Sequence, residues 1–193
     1  QYQVNPKKIL ATARLSAYEL AQLQSKHSDA IEYLDNFIDS IVDFLHEYNL
    51  CLTIMDSECT VLKKYANPTS RLIGVSLTTK NVGTLSCNIV KEHKVPFWVF
   101  GPEIWLEELH EMNSGSVPIM VNGELTYIVS LTVMEYEKIP QDVVLALLFT
   151  LKTALELNIR QSLNIKAQKA ILDAAPFAVY HIMSEDKIVY ANR

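Results

Sequence analysis

The sequence predicts an α+β domain, a central antiparallel sheet flanked by helices with a long helix after it. Three observations carry that prediction. Asn122-Gly123 separates two β-rich runs, and both residues of such a pair tolerate the positive φ that a two-residue hairpin needs. At Leu50 the apolar spacing changes from steps of three and four to the run of a strand. Behind Pro140 it changes back, with Val144, Leu148, Leu151 and Leu155 forming a heptad seam.

In chain order, Asn5-Pro6 reads as an N-cap with proline at the first helical position. Ile9, Leu10, Ala13, Ala17, Leu20 and Leu23 then keep helical spacing, giving a helix over about 6–24. Asp29 and Glu32 resemble a capping box ahead of a second helix, whose Ile31, Leu34, Ile38, Ile41, Leu45 and Tyr48 form an a/d stripe. Phe37 and Phe44 widen that stripe, so the helix needs two surfaces to pack against. Either both belong to its own domain or one belongs to a second copy of the chain. Leu50–Met55 and Cys59–Tyr65 about Asp56-Ser57-Glu58 predict a hairpin, and Asn67-Pro68-Thr69-Ser70 a loop.

Leu72–Gly101 is the stretch the rest serves: a strand-like start, a turn at Gly83-Thr84 that opens a short helix, and the aromatic run Pro96–Phe100 closed by Gly101-Pro102. Glu103–Met112 reads as a short helix ended by Asn113-Ser114-Gly115. Strands over Ser116–Val121 and Glu124–Tyr136 follow, with Pro118 placing the first at an edge or a bulge. The helix from Pro140 runs to about Ala174, and Phe177–Met183 and Lys187–Tyr190 form strand, turn, strand.

Composition narrows the function. The chain has 193 residues, enough for one full domain and part of a second, and 49% of them are hydrophobic, enough for a sizeable core. Its formal charge is -5 with dispersed basic residues, which argues against nucleic-acid contact by this segment. No apolar run approaches the roughly 20 residues of a membrane span. Cys51, Cys59 and Cys87 are an odd number without metal-ligand spacing, which fits free thiols in a cytoplasmic protein. The beginning, QYQVNPKKIL, has no Met and no signal-peptide core and reads as a cut rather than a natural start. With only 5 glycines and no phosphate-loop or nucleophile-elbow pattern, no catalytic residues, metal or cofactor are expected.

A binding site is the remaining reading. A helix opened at Thr84 would aim its free amides toward the strand Phe97–Phe100, favouring an anionic or carbonyl oxygen. Trp98, Trp105 and Met120 then offer apolar walls, and the site suits a small organic effector with one polar end. The alternative is that these side chains fill the core. Cys87, on the first turn of that helix, is either a buried small hydrophobe or a thiol made acidic by the helix end. His110, near Trp105 and Met112, is either a packing residue or a ligand contact.

The order helix, hairpin, strand, short helix, two strands, long helix resembles a GAF domain. Gly74-Val-Ser-Leu77, Asn81-Val-Gly-Thr84, Pro96–Gly101 and Ser116-Val-Pro-Ile119 are similar to GAF domains at the front of sigma-54-dependent activators of the acetoin-regulator type. That family has Asn where this chain has Leu85, its Gly-x-Glu-His-Tyr becomes Gly101-Pro102-Glu103-Ile104-Trp105 here, and the tryptophan usual just before its Ala-Ala-Pro strand is absent. Ile171–Val179 through Val189-Tyr-Ala-Asn-Arg193 resembles the first strands of a PAS domain. The resemblance implies an N-terminal helix over 1–27, a GAF-like sensory domain over 28–139, a closing and connector helix over 140–174, and a PAS beginning over 175–193. It also implies homodimerisation through the N- and C-terminal helices, and control of an AAA+ ATPase and a DNA-binding domain outside this segment. A histidine kinase or cyclic-dinucleotide enzyme behind the same front end, or a dimerisation module without ligand, remain open alternatives.

Overall fold

Two strands buried on both faces organise the molecule. The computed structural model describes residues 4–7, 13–66, 70–134, 138–174, 180–182 and 188–191. Strands β1 (Leu50–Asp56) and β5 (Glu124–Val133) pair antiparallel from Leu50↔Val133 to Asp56↔Tyr127. β2 (Val61–Tyr65) joins the other side of β1, while β4 (Asn113–Val121) and β3 (Phe97–Val99) extend the sheet beyond β5. The order is β2-β1-β5-β4-β3, antiparallel throughout. The expected α+β architecture is present, an antiparallel sheet flanked by helices with a long helix after it. Both expected hairpins form, and Asn122 (φ 52) and Gly123 (φ 84) occupy the left-handed region that their turn demands.

Side chains alternate across a strand, so β1 sends Leu50, Leu52 and Ile54 to one face and Cys51, Thr53 and Met55 to the other. The first face carries helices. Tyr65, opposite Leu52, donates its hydroxyl to the Ile31 carbonyl of α2 (Ser28–Asp39), and Lys63 reaches Asp35 of that helix at 2.6 Å. The first half of α6 (Gln141–Asp173) covers β4 and buries Val144, Leu148, Leu151 and Leu155, the seam expected from the sequence. Its approach needs Gly115, because a Cβ there would come within 2.6 Å of Trp98 and 2.9 Å of Leu148. The second face carries α4 (Thr79–Val82), α5 (Ser86–His93) and the buried cluster around Val75, Val90, Val99 and Leu106.

Several elements depart from expectation for local reasons. Helix α1 (Ala17–Lys26) starts at Ser16, not Pro6, because the Ser16 hydroxyl accepts the Glu19 amide while the Glu19 carboxylate accepts the Ser16 amide. Pro6 and Lys7 form a turn, and the Ala13 carbonyl accepts the Ser76 amide in extended backbone. The helical span expected over 8–12 lies outside the described residues. The capping box expected at Asp29 is absent, since the N-cap of α2 lies two residues earlier, at His27, with no side-chain cap. The His27 ring instead meets the Tyr127 hydroxyl at 2.9 Å.

The single helix expected behind Asp29 is split. Ser40 and Ile41 donate to carbonyls only three residues back, and the Ser40 hydroxyl also takes the Phe37 carbonyl, ending the ladder before α3 (Val42–Glu47). The short helix expected over Glu103–Met112 is replaced by 3-10 turns at Gly101–Glu103 and Glu107–Leu109. Between them Ile104 and Leu106 are buried and Trp105 is exposed, an alternation that extended backbone satisfies and a helix does not. Asn113-Ser114-Gly115, expected to end that helix, instead opens β4. Pro118 lies past the last β3 pairing, Phe97↔Ser116, and the bulge at Ile119/Met120 follows it, so edge and bulge both apply.

The chain divides into two compact units after Glu156. The second contains the α6 residues from Leu157 and a hairpin of β6 (Tyr180–Ile182) with β7 (Ile188–Ala191), paired from Tyr180↔Ala191. The expected loop over 67–69, the end of the strand at 135–137 and the turn over 183–187 lie outside the described residues.

The burial pattern of α6 predicts contrasting costs for adjacent substitutions. Leu148→Ala should lower stability by about 2–5 kcal/mol through a cavity under the sheet, while Phe149→Ala, at a side chain 46% exposed, should cost far less. Urea unfolding followed by circular dichroism reads both, and equal midpoints would contradict the packing described.

Candidate ligand-binding site

A cavity of about 270 Å³ lies between the second face of the sheet and α5. Its floor is set by register. Thr53 is opposite Ser130, which is opposite Ser116, and one step along Cys51 is opposite Thr132, which is opposite Ser114. Two cross-strand rows therefore put small polar side chains on one face while leucine and isoleucine fill the other. Leu85, Ser86 and Cys87 form the wall where α5 begins, and Leu72, Leu77, Ile104, Leu109, Met112 and Met134 supply an apolar roof. Lys64, Arg71 and Glu108 bring charge to the lining.

The hydroxyls form a connected network. Thr132 and Ser86 both donate to Ser114, at 3.4 and 3.1 Å, so the single Ser86 proton is used and the 2.7 Å contact with Ser116 must be donated by Ser116. By the same logic Ser130 donates to Ser116 at 2.5 Å. Protons run from Ser130 through Ser116 and Ser86 to Ser114, leaving the Ser114 proton unused within the cluster. A hydroxyl that accepts twice is polarised toward donating once more. Ser86, Ser116 and Ser130 are 2%, 1% and 5% exposed, so the network is held out of bulk water.

The α5 start is shaped by Asn88, whose side-chain amide donates to the Gly83 carbonyl at 2.6 Å. The helix begins at Ser86 rather than at Thr84. Burial pushes the Cys51 thiol up, with Lys64 within hydrogen-bonding reach of it. Among the described residues no group of three or more His, Cys, Asp or Glu is placed to hold a metal ion, and no helix is long and apolar enough to cross a membrane.

Of the six residues singled out in the sequence, Cys87 lines the cavity and the other five do not. Thr84 is exposed, and its carbonyl accepts the Trp105 amide at 3.4 Å. Trp105 is 47% exposed, lies on the Gly83 backbone and donates its indole N–H to the Val4 carbonyl at 2.8 Å. Trp98, on the opposite sheet face against Gly115 and edge-on to Phe100, keeps a buried indole N–H with no hydrogen bond among the described residues. His110 is exposed, with its Nε2 3.0 Å from the Ile104 carbonyl. Met120 sits at the bulge, where its amide donates to Glu156. The residues missed were the floor hydroxyls, whose signal was three short alternations: Cys51-Leu-Thr53, Ser114-Gly-Ser116 and Ser130-Leu-Thr132.

Removing the central hydroxyl should destabilise the network. Ser116→Ala strips Ser130 of its acceptor and is expected to cost about 1–3 kcal/mol, whereas Thr150→Ala, whose exposed hydroxyl bonds its own helix, should stay within about 0.5 kcal/mol. Denaturant midpoints distinguish the two, and an unchanged midpoint for Ser116→Ala would refute the network.

No family model and no curated protein matches the chain. Among solved structures, the E. coli DhaR(N)–DhaL complex is similar with a TM-score of 0.64 and 13% identity, over 93% of this chain and 66% of that one. A GAF domain/HD domain protein from Geobacter sulfurreducens reaches 0.49 at 12% identity, over 74% and 96%. The cofactor binding GAF domain of the nutrient sensor CodY from Clostridium difficile reaches 0.43 at 14%, over 75% and 99%. The chain thus spans just under two thirds of the DhaR(N)–DhaL chain it resembles, and at 13% identity that similarity establishes the fold alone.

Proposed function

We propose that this chain is the small-molecule-sensing regulatory region of a larger signalling protein. The observation that carries the reading is the cavity over the hydroxyl floor. Its volume, about 270 Å³, falls just below the roughly 300–1,000 Å³ of ordinary ligand pockets, which favours a small metabolite over a nucleotide. The apolar roof takes the body of such an effector. Its polar end, a carboxylate or carbonyl, is served by the spare Ser114 proton, the first turn of α5 and the cations Lys64 and Arg71.

The resemblance seen in the sequence supports a finer reading, in which the larger protein is a sigma-54-dependent activator whose ATPase and DNA-binding parts lie outside this segment. In that reading α6 connects the sensor to a PAS beginning over 175–193 and pairs with its counterpart in a homodimer. Exposed Leu157, Leu163, Ile165 and Ile171 on α6 support a role for its second half in pairing. An effector alters output only if it binds two arrangements with different affinity.

A thermal-shift screen of short aliphatic carboxylates, phenols and diols tests the sensing function. At a hundred times its dissociation constant, a bound ligand stabilises by about 2.7 kcal/mol. One class should raise the melting temperature, and Thr53→Met, which fills the floor, should abolish that rise while Thr150→Ala preserves it. Failure of every class to stabilise the protein, with ligand-soaked crystals showing the cavity collapsed, would reject sensing. Truncation after Glu156 addresses pairing separately. Light scattering should give the mass of two copies for the full chain and one for the shortened chain, and equal stoichiometry would remove α6 from the dimer contact.

A further inference from the structure

Two buried thiols outside the hydroxyl network face one another beside the cavity. Cys59 lies in the turn between β1 and β2 at φ 64, in the left-handed region. It is fixed there by its amide to the Asp56 carbonyl at 3.1 Å and by its carbonyl, which accepts the Leu77 amide at 2.8 Å. Cys87 comes from the first turn of α5. The Cys59 thiol donates to the Cys87 carbonyl at 3.7 Å, and the Cys87 thiol donates to the Asn88 side-chain oxygen at 3.9 Å. Cys59 is 0% exposed and Cys87 3%, yet Cys87 lines the cavity, which gives a small solute a route to the pair.

The environment separates the two sulfurs. Contact with the Cys87 thiol holds the Cys59 thiol below its ordinary range despite burial, with the Lys91 charge adding to the effect. The same contact and burial push the Cys87 thiol well up. Lys91 is itself anchored to Glu58 at 2.7 Å, next to Cys59 in the turn. Cys59 is therefore the more acidic of two adjacent buried thiols.

We propose that Cys59 and Cys87 form a modification site at which a hydroperoxide entering the cavity closes an intramolecular disulfide. The Cys87 sulfur attacks one peroxide oxygen as the O–O bond breaks; Cys87 becomes a sulfenic acid, and the departing hydroxide takes the proton the thiol gives up, leaving as water. The Cys59 sulfur then attacks the Cys87 sulfur, the S–O bond breaks, and the departing hydroxide takes the Cys59 proton to give a second water. Two thiols are oxidised and one hydrogen peroxide is reduced to two waters. The site does not depend on the ligand reading above, because it requires only the pair and the opening beside it.

The test treats the full chain with hydrogen peroxide under native conditions, blocks remaining thiols after unfolding, and maps the products by mass spectrometry. Cleavage after Glu58 separates Cys51 from Cys59, so the linked peptides identify the partners. The expected product is a Cys59–Cys87 link within one chain, its mass lower by two hydrogens, formed equally in wild type and in Cys51→Ser. In Cys59→Ser, oxidation should stop at a sulfenic acid on Cys87 that dimedone captures, with no linked peptide formed. Free Cys59 and Cys87 after treatment, a link to Cys51, a link between chains, or sulfinic acid without a link would each overturn the proposal. The wild-type map decides the question whether or not the variants fold.

Discussion

The pairing of β1 with β5 is the constraint on which the rest depends. Both strands are covered on both faces, so their amides and carbonyls are satisfied only by neighbouring strands, and register cannot slip without cost. A slip of one residue would carry Leu52 and Leu131 into the cavity and Thr53 and Ser130 under the helices. The polar floor and the apolar packing of α6 are thus two consequences of one alignment. A site built this way is positioned by the sheet rather than by loops, which limits how far its hydroxyls can move apart.

Much of this architecture was legible because the strongest local signals agree with the tertiary outcome. Asn122-Gly123 fixes its turn by backbone sterics alone, and the Val144–Leu155 seam is buried where its spacing says. Ambiguity appeared where a weak local preference competed with burial. The stripe from Ile31 to Tyr48 keeps helical spacing straight through Ser40, yet one hydroxyl and two shortened backbone bonds suffice to break it. Ile104-Trp105-Leu106 has helix-compatible residues, but the pull of two buried side chains two positions apart selects extended backbone. At Ser16 the capping box was written in the sequence as plainly as the one read at Asp29, and only the fold shows which of them is used.

The site was less legible than the fold. Tryptophans draw attention as pocket walls, but large rings also serve as covers over backbone, and Trp98 and Trp105 are used that way against Gly115 and Gly83. Serines and threonines on strands read as ordinary strand residues, and nothing in one strand reveals that its hydroxyls meet those of two others. Cys87 was singled out as one residue with two readings. Its burial agrees with the first, and the second fails, because contact with Cys59, distant in sequence, and burial push its thiol up rather than down.

The bulge in β4 has a further consequence for how the protein behaves in solution. Beyond Ser116 the outer edge of that strand, away from β5, has no strand partner among the described residues, and an uncovered run of amides and carbonyls invites edge-to-edge assembly of partly folded chains. Here Pro118 withholds one donor, Glu156 takes the Met120 amide at 2.7 Å and Lys152 donates to the Pro118 carbonyl at 2.7 Å, with the two charged side chains paired to each other. A helix laid across the sheet for its leucines therefore also shields the strand margin from templated aggregation, and loosening α6 would expose the apolar core and a sticky edge in one event.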